Sequence, residues 1–350
     1  MVNIFALVLV TSMAINTSDT LNSSTLNVSS DEIESCFMTY IVRKPTTPYI
    51  INSIFGCIVN AILGIVGTFL NVLVVAVFWK TPKLRKKVTY FVIMLLSCID
   101  MCVTIIVHPS HLINSIAEIT RTSKCTYKMV YQTSAIILSG MSYFTFFVMN
   151  LERYLSICRP FFHMRNVTKE RCLILCICLW LICLGTGIAP IFGVDIQPFV
   201  AALAVLVLGG TFFIYLSIYK VAKKGRNSRL RSSSRTGQDG FSITLEETTS
   251  TLESRDSTRP KTRVSFVHDL QLAKMYVVVL FSTILLNLPN ALVLVLFSKR
   301  IETVDNIVQV KIWTLTLVAM NSTFNSLIFF WANDRLRTEG WRLCKNFFRF

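Results

Sequence analysis

The sequence predicts an all-α membrane protein: a seven-helix transmembrane bundle with a short amphipathic helix after the seventh span. Three observations carry this. The 350 residues are 53% hydrophobic and only 15% charged, more apolar surface than a soluble chain of this length has use for. The apolar residues gather into seven runs of roughly 20 residues or more, the length a helix needs to cross a bilayer. Basic residues crowd alternate connections between the runs, as the positive-inside rule requires of a multi-pass chain. Lipid offers no partner to an open backbone, so helices are the natural form for these runs.

The chain opens with residues 1–48, a tail rich in Ser, Thr and Asn after a short apolar start, Ile4–Val10. That start has the core of a signal peptide but lacks its basic flank. Sequons at Asn16, Asn22 and Asn27 suit a glycosylated extracellular tail. Those at Asn166 and Asn321 fall on the cytoplasmic side and inside a span, and are discounted.

Helices 1 to 7 are read as Tyr49–Trp79, Val88–His111, Met129–Leu151, Cys172–Val194, Ile196–Tyr219, Met275–Ser298 and Ile312–Asn333, within one domain of residues 49–333. Only the second run carries a charge, Asp100. The net charge of +16 would suit nucleic acid, but its distribution does not. Lys80, Lys83, Arg85, Lys86 and Lys87 fill the first loop, Arg159, Arg165, Lys169 and Arg171 the third, and Lys223, Lys224 and Arg226 open the fifth. Arg335, Arg337, Arg342, Lys345 and Arg349 follow the last span. The N-terminus is therefore expected outside and the C-terminus inside, with the basic face turned to anionic lipid and a partner protein rather than nucleic acid.

The loop at 223–267 is polar and Arg-rich at its start, with Ser232–Ser234 and Ser265 in basic surroundings. It reads as a disordered regulatory segment open to phosphorylation. After the last span, 334–350 forms an amphipathic helix and tail in which Cys344 is a candidate for palmitoylation. Most of the 11 cysteines, such as Cys98, Cys102, Cys176 and Cys183, lie within spans as small packing residues. Only Cys36 and Cys125 are expected on the oxidising side, where a disulfide would tie the tail to the top of helix 3. His108 and His111 stand at the expected end of helix 2 with no thiol or carboxylate at metal-site spacing, so no metal site is expected.

Two constellations carry chemistry. Glu152-Arg153-Tyr154 ends helix 3, and charges at membrane depth are functional candidates by default; the alternative is a plain stop-transfer boundary. Asp100 needs polar partners, and Asn71, Ser142, Asn321, Ser322 and Asn325 are available on helices 1, 3 and 7. Such a cluster is either a hydrogen-bonded structural network or a sodium site that changes with packing. In helix 6, Pro289 bends the helix, and Asp269 at its cytoplasmic end could pair with Arg153.

Together these residues resemble the rhodopsin-like (class A) G-protein-coupled receptors across about residues 45–347. Gly67–Val74 with Asn71 resembles the helix 1 motif, Leu96–Asp100 that of helix 2, and Glu152-Arg153-Tyr154 with Pro160 the helix 3 signature. Trp180, Tyr215 and Pro289 match the landmarks of helices 4, 5 and 6, and Asn321–Phe329 resembles the helix 7 motif. Departures stand beside the matches. Asn287 replaces the helix 6 tryptophan, Ser326 the helix 7 proline and Phe329 its tyrosine. Helix 5 has no mid-span proline, the second extracellular loop shrinks to a few residues around Asp195 without a cysteine, and Cys125 lies about three residues early. The missing loop disulfide and helix 5 proline resemble the melanocortin, cannabinoid and lysophospholipid receptors.

The resemblance implies a plasma-membrane receptor, not an enzyme, that binds an extracellular ligand and activates heterotrimeric G proteins as helix 6 moves. Arrestin and receptor kinases would be further partners. Glu152, Arg153, Tyr154, Asp269, Tyr215, Pro289, Asn325 and Phe329 would form the coupling and switch residues. The ligand pocket would be lined by Tyr131, Gln132, Ala135, Asn287, Asn290 and Leu315. Ala135 stands where amine receptors place an Asp, and no Lys lies within Ile312–Asn333 for a retinal Schiff base, so amines and retinal are disfavoured. A constitutively active or non-signalling relative is the alternative. A transporter or channel fits less well, with one intramembrane acid and no inverted repeat.

Overall fold

The computed structural model describes residues 33–36, 39–194 and 304–347, with 199, 202, 203, 206, 207 and 209–221 of helix 5 and 278, 281, 282, 284–287 and 289 of helix 6. Asn16, Asn22, Asn27, Asp195, Asp269, Asn290 and the 223–267 loop lie outside the described residues.

Helix 1 is Thr47–Lys80. Thr46 caps it, its hydroxyl accepting the Tyr49 N–H at 3.4 Å, and Pro48 sits in the first turn, where its missing donor costs nothing. A turn at Pro82–Arg85 leads into helix 2. Helix 3 is Cys125–Cys158; it stops before Pro160, which disfavours α geometry at Arg159 and itself starts a short helix, Pro160–Asn166. Helix 4 is Lys169–Ile188, capped by the Thr168 hydroxyl, with Glu170 in the positive first turn. A 3₁₀ turn carries it to Phe192, and Gly193 closes it at φ 75°, a left-handed conformation that suits glycine. Helix 7 is Val304–Ala332 and the amphipathic helix Asp334–Phe347. Helix 7 thus begins before the expected Ile312 and takes in Lys311.

Helix 2 corrects the sequence reading. It runs Val88–Ile119 rather than ending at His111, with a π turn at Val103–Val107. Pro109 follows directly: its ring would clash with the carbonyl four residues back, and a widened turn relieves that clash. The chain beyond His111 stays helical because Asn114, Ser115, Ala117 and Glu118 are buried against helices 1 and 3. His108 and His111 accordingly lie inside the helix and are buried, not at its end. Asp100 is not the only acid within a span either, since Glu118 is buried in the last turn of the same helix.

Among the described residues four helices, 1 to 4, are long and apolar enough to cross a membrane. Helix 2 is the most enclosed, 56% of its apolar window being buried against 22% for helix 4. It packs against helices 1, 3, 4 and 7, while Ile62, Ile65 and Phe69 of helix 1 face outward. Helices 1 and 7 approach closely at Gly67, where a Cβ would collide with the Thr323 side chain; small residues at such crossings let backbones meet. The main apolar core fills the half of the bundle holding Arg153, from Val74, Val77, Phe78, Val92, Leu96, Phe146, Met149, Cys176 and Phe329, and Leu336 of the amphipathic helix closes it.

The all-α expectation meets one exception, in the tail. Strands β1 (Ile33–Cys36) and β2 (Thr39–Val42) form an antiparallel hairpin, register Ile33↔Val42 to Cys36↔Thr39. Ile41 and Val42 are buried, so the hairpin packs down on the bundle rather than trailing from it.

Candidate functional site

Polar chemistry collects at three depths. At mid-depth the Asp100 carboxylate is fully buried. One oxygen accepts the Ser142 hydroxyl at 2.6 Å and the other the Asn325 amide at 3.0 Å. Asn71 donates to the carbonyls of Gly67 at 2.9 Å and Ser322 at 3.3 Å. The Ser326 hydroxyl donates to Asn71 Oδ1. Asn71, Asp100, Ser142, Ser322 and Asn325 are thus brought together from helices 1, 2, 3 and 7, and Asn321 is buried four residues before Asn325. Asn325 Oδ1 is buried beside the carboxylate with no hydrogen-bond partner among the described residues. Ser326 stands where the resembled family has a proline, and it leaves helix 7 continuous and adds a bond to helix 1.

At the Arg153 end, Glu152 and Arg153 are both buried and pair with each other, Arg153 Nε to Glu152 Oε2 at 2.9 Å. The other carboxylate oxygen accepts the Thr89 hydroxyl at 3.2 Å and lies 2.9 Å from His163 Nε2. These groups line a cavity of about 210 Å³ with Lys87, Tyr90 and Ser156. Tyr154 packs against Ile214 and Ile218 of helix 5. Tyr215 is half-buried against the main core, and Phe329 is fully buried within it. Asn287 and Pro289 are half-buried on helix 6, where Leu286 is buried.

At the end carrying the hairpin, Cys36 and Cys125 form a disulfide, Cα–Cα 5.6 Å, as the topology suggested. Arg43 donates to the Ser123 carbonyl at 3.1 Å. Glu118 accepts the Tyr49 hydroxyl at 2.6 Å and the Lys128 ammonium at 2.9 Å. Deeper, His108 Nδ1 lies 2.9 Å from Asn60 Oδ1, and Asn60 donates to Thr316 at 2.9 Å. The His111 ring tilts against Tyr131 at 5.2 Å between centroids. Of the expected pocket, Tyr131 and Ala135 pack with Val103 and Val107, and Gln132 is half-buried; Leu315 lies on helix 7. Glu118 and Lys128 went unread because Lys128 precedes the apolar run of helix 3. The signal was present all the same: His108, His111, Ser115 and Glu118 recur at spacings of three and four, one face of a continuing helix.

Cys344 lies half-buried on the amphipathic helix as a free thiol. No group of three metal-ligating side chains occurs among the described residues. In comparisons with known proteins, residues 70–329 match the family described as "7 transmembrane receptor (rhodopsin family)". The chain is 30% identical over 149 residues to melanopsin of Branchiostoma belcheri. That stretch covers 43% of this chain and 20% of the relative.

Proposed function

The chain belongs to the rhodopsin family of seven-transmembrane receptors, and from that premise we propose that it is a plasma-membrane receptor coupling an extracellular ligand to heterotrimeric G proteins. The N-terminal tail then lies outside and the Arg153 end faces the cytoplasm. The observation that carries the reading is the buried Glu152–Arg153 pair at that end. A guanidinium held by its own neighbour in sequence can be surrendered to a partner without unpacking a helix. Ligand binding favours outward movement of helix 6 about Pro289, which opens a cleft and releases Arg153 to the G protein. Asp269 is proposed as the helix 6 partner of Arg153 in the closed state.

The ligand pocket is proposed around Tyr131, Gln132, Ala135, Asn287, Asn290 and Leu315, with amines disfavoured by Ala135 and retinal by the lack of a Lys in Ile312–Asn333. The oxygens of Asp100, Ser142 and the unpartnered Asn325 Oδ1 are hard donors suited to a sodium ion. Glycans on Asn16, Asn22 and Asn27, a lipid on Cys344, and arrestin and receptor kinases acting at the 223–267 loop complete the proposal.

The test is ligand-free G-protein activation in transfected cells, across the main Gα classes, against Arg153→Ala at matched surface expression. Loss of basal activation in the variant is the expected result and names the G protein. Equal output from both chains would favour a non-signalling relative, a reading that the altered residues Ser326 and Phe329 keep in view.

A further inference from the structure

His163 is not part of the Glu-Arg-Tyr signature, yet it touches the same carboxylate. Pro160 fixes the start of the short helix Pro160–Asn166, and one turn later the His163 ring turns back to Glu152. Glu152 is left with a division of labour: Oε1 takes Thr89 and His163, and Oε2 takes Arg153. The imidazole is partly solvent-exposed while the carboxylate is not, so a proton can reach it from the cytoplasmic side.

We propose that His163 is a positioning residue for Arg153, acting through Glu152. A neutral imidazole donates Nε2–H and orients the carboxylate onto the guanidinium; a protonated one draws off the carboxylate's charge and frees Arg153 for the G protein. The inference rests on the coupling reading above and adds cytoplasmic pH as a regulator of it.

With His163 neutral, the Glu152 carboxylate holds the Arg153 guanidinium in a buried site, where attraction is far stronger than in water. A proton on His163 sets a second cation against the same carboxylate and adds repulsion between His163 and Arg153. The other groups lining the site are Lys87, which precedes helix 2, Thr89 and Tyr90 of helix 2 and Ser156 of helix 3, and in sequence Arg159 and Arg165 flank His163. Of these side-chain types only imidazole ordinarily changes charge between about pH 5 and 8. The fixed cations set a background, and His163 supplies the variation.

Full-length receptor in lipid nanodiscs provides the test, with purified G protein and nucleotide exchange measured from pH 7.5 to 6.0. Receptor-free discs and Arg153→Ala discs give the background at each pH. Exchange above background should rise roughly fivefold as pH falls, the lower range of ordinary coupling between sites. His163→Gln keeps an amide donor toward Glu152 but cannot titrate, and its output should not vary with pH. A pH profile in His163→Gln equal to wild type overturns the proposal.

A second readout needs no G protein. The chain has four histidines, and the ¹⁵N imidazole signal lost in His163→Gln identifies His163. Coupling is reciprocal: Arg153→Ala should raise the pH at which that signal titrates, and Glu152→Gln should lower it. A midpoint unmoved by both substitutions overturns the proposal even if basal exchange is undetectable. Absent exchange with shifted midpoints would instead sink the coupling reading and leave the Glu152 linkage standing.

Discussion

The two ends of the bundle bury their carboxylates to opposite effect. At the hairpin end, Glu118 is engaged by Tyr49 of helix 1 and Lys128 of helix 3. The Cys36–Cys125 disulfide and the bond from Arg43 to Ser123 bind the tail to the same place. At the Arg153 end, Glu152 holds its own sequence neighbour, with a threonine and a loop histidine for support. Opening the first arrangement means separating three helices. In the second, the two charges that pair are neighbours on one helix. A clasp and a switch can thus be built from similar charges, and what separates them is whether the paired charges lie on different helices or on one.

That contrast can be broken most forcefully at the disulfide. The crosslink joins residues 89 apart, and in the chain-entropy account such a loop stabilises by about 5 kcal/mol. Cys36→Ser with Cys125→Ser should therefore lower the melting temperature of purified receptor and its surface expression sharply. An unchanged melting temperature would mean that the hairpin end is held by its charges alone.

Glu118→Ala comes next. It strands the Lys128 ammonium in a buried site, at a cost of about 3–5 kcal/mol. The double change Glu118→Met with Lys128→Met removes both charges and should recover most of that loss in a thermal-shift assay. A double variant as unstable as the single one would show that the hydroxyl of Tyr49, left without its acceptor, matters more than the charge.

The smallest expected effect lies between the two ends. Ser326→Ala removes the hydroxyl bonded to Asn71, worth about 0.6 kcal/mol as interhelical bonds in membranes go. Its stability should scarcely change, while the Asn71–Asp100 network loses one link between helices 1 and 7. A loss of several kcal/mol would make Ser326 a keystone of the bundle rather than a stand-in for the family's proline.

Much of this was legible in the sequence, for identifiable reasons. Lipid forces helices on long apolar runs, so the spans could be read from composition, and an unpaired Asp100 in such a run demanded oxygen and nitrogen partners that were few enough to name. Cys36 and Cys125 followed from sidedness. The course of helix 2 past His111 did not follow: Asn114, Ser115 and Glu118 look like a loop until all three are seen to be buried, Glu118 with Tyr49 and Lys128 as its partners. The hairpin escaped for a related reason, since eight paired residues in a polar tail carry almost no hydrophobic pattern and are held by what they pack upon. Nor did His163 stand out, because its importance comes from a turn that Pro160 starts and from a carboxylate 11 positions away.

The apolar spans and the landmark residues of the receptor family were determined by the sequence alone, because burial of apolar length acts on local stretches of chain. Which cation meets which carboxylate was decided only by the tertiary structure. The Glu118–Lys128 pair depends on a few ångströms between side chains of different helices, and the hold of His163 on Glu152 on a turn of the chain that folds it back; no spacing along the chain encodes those distances.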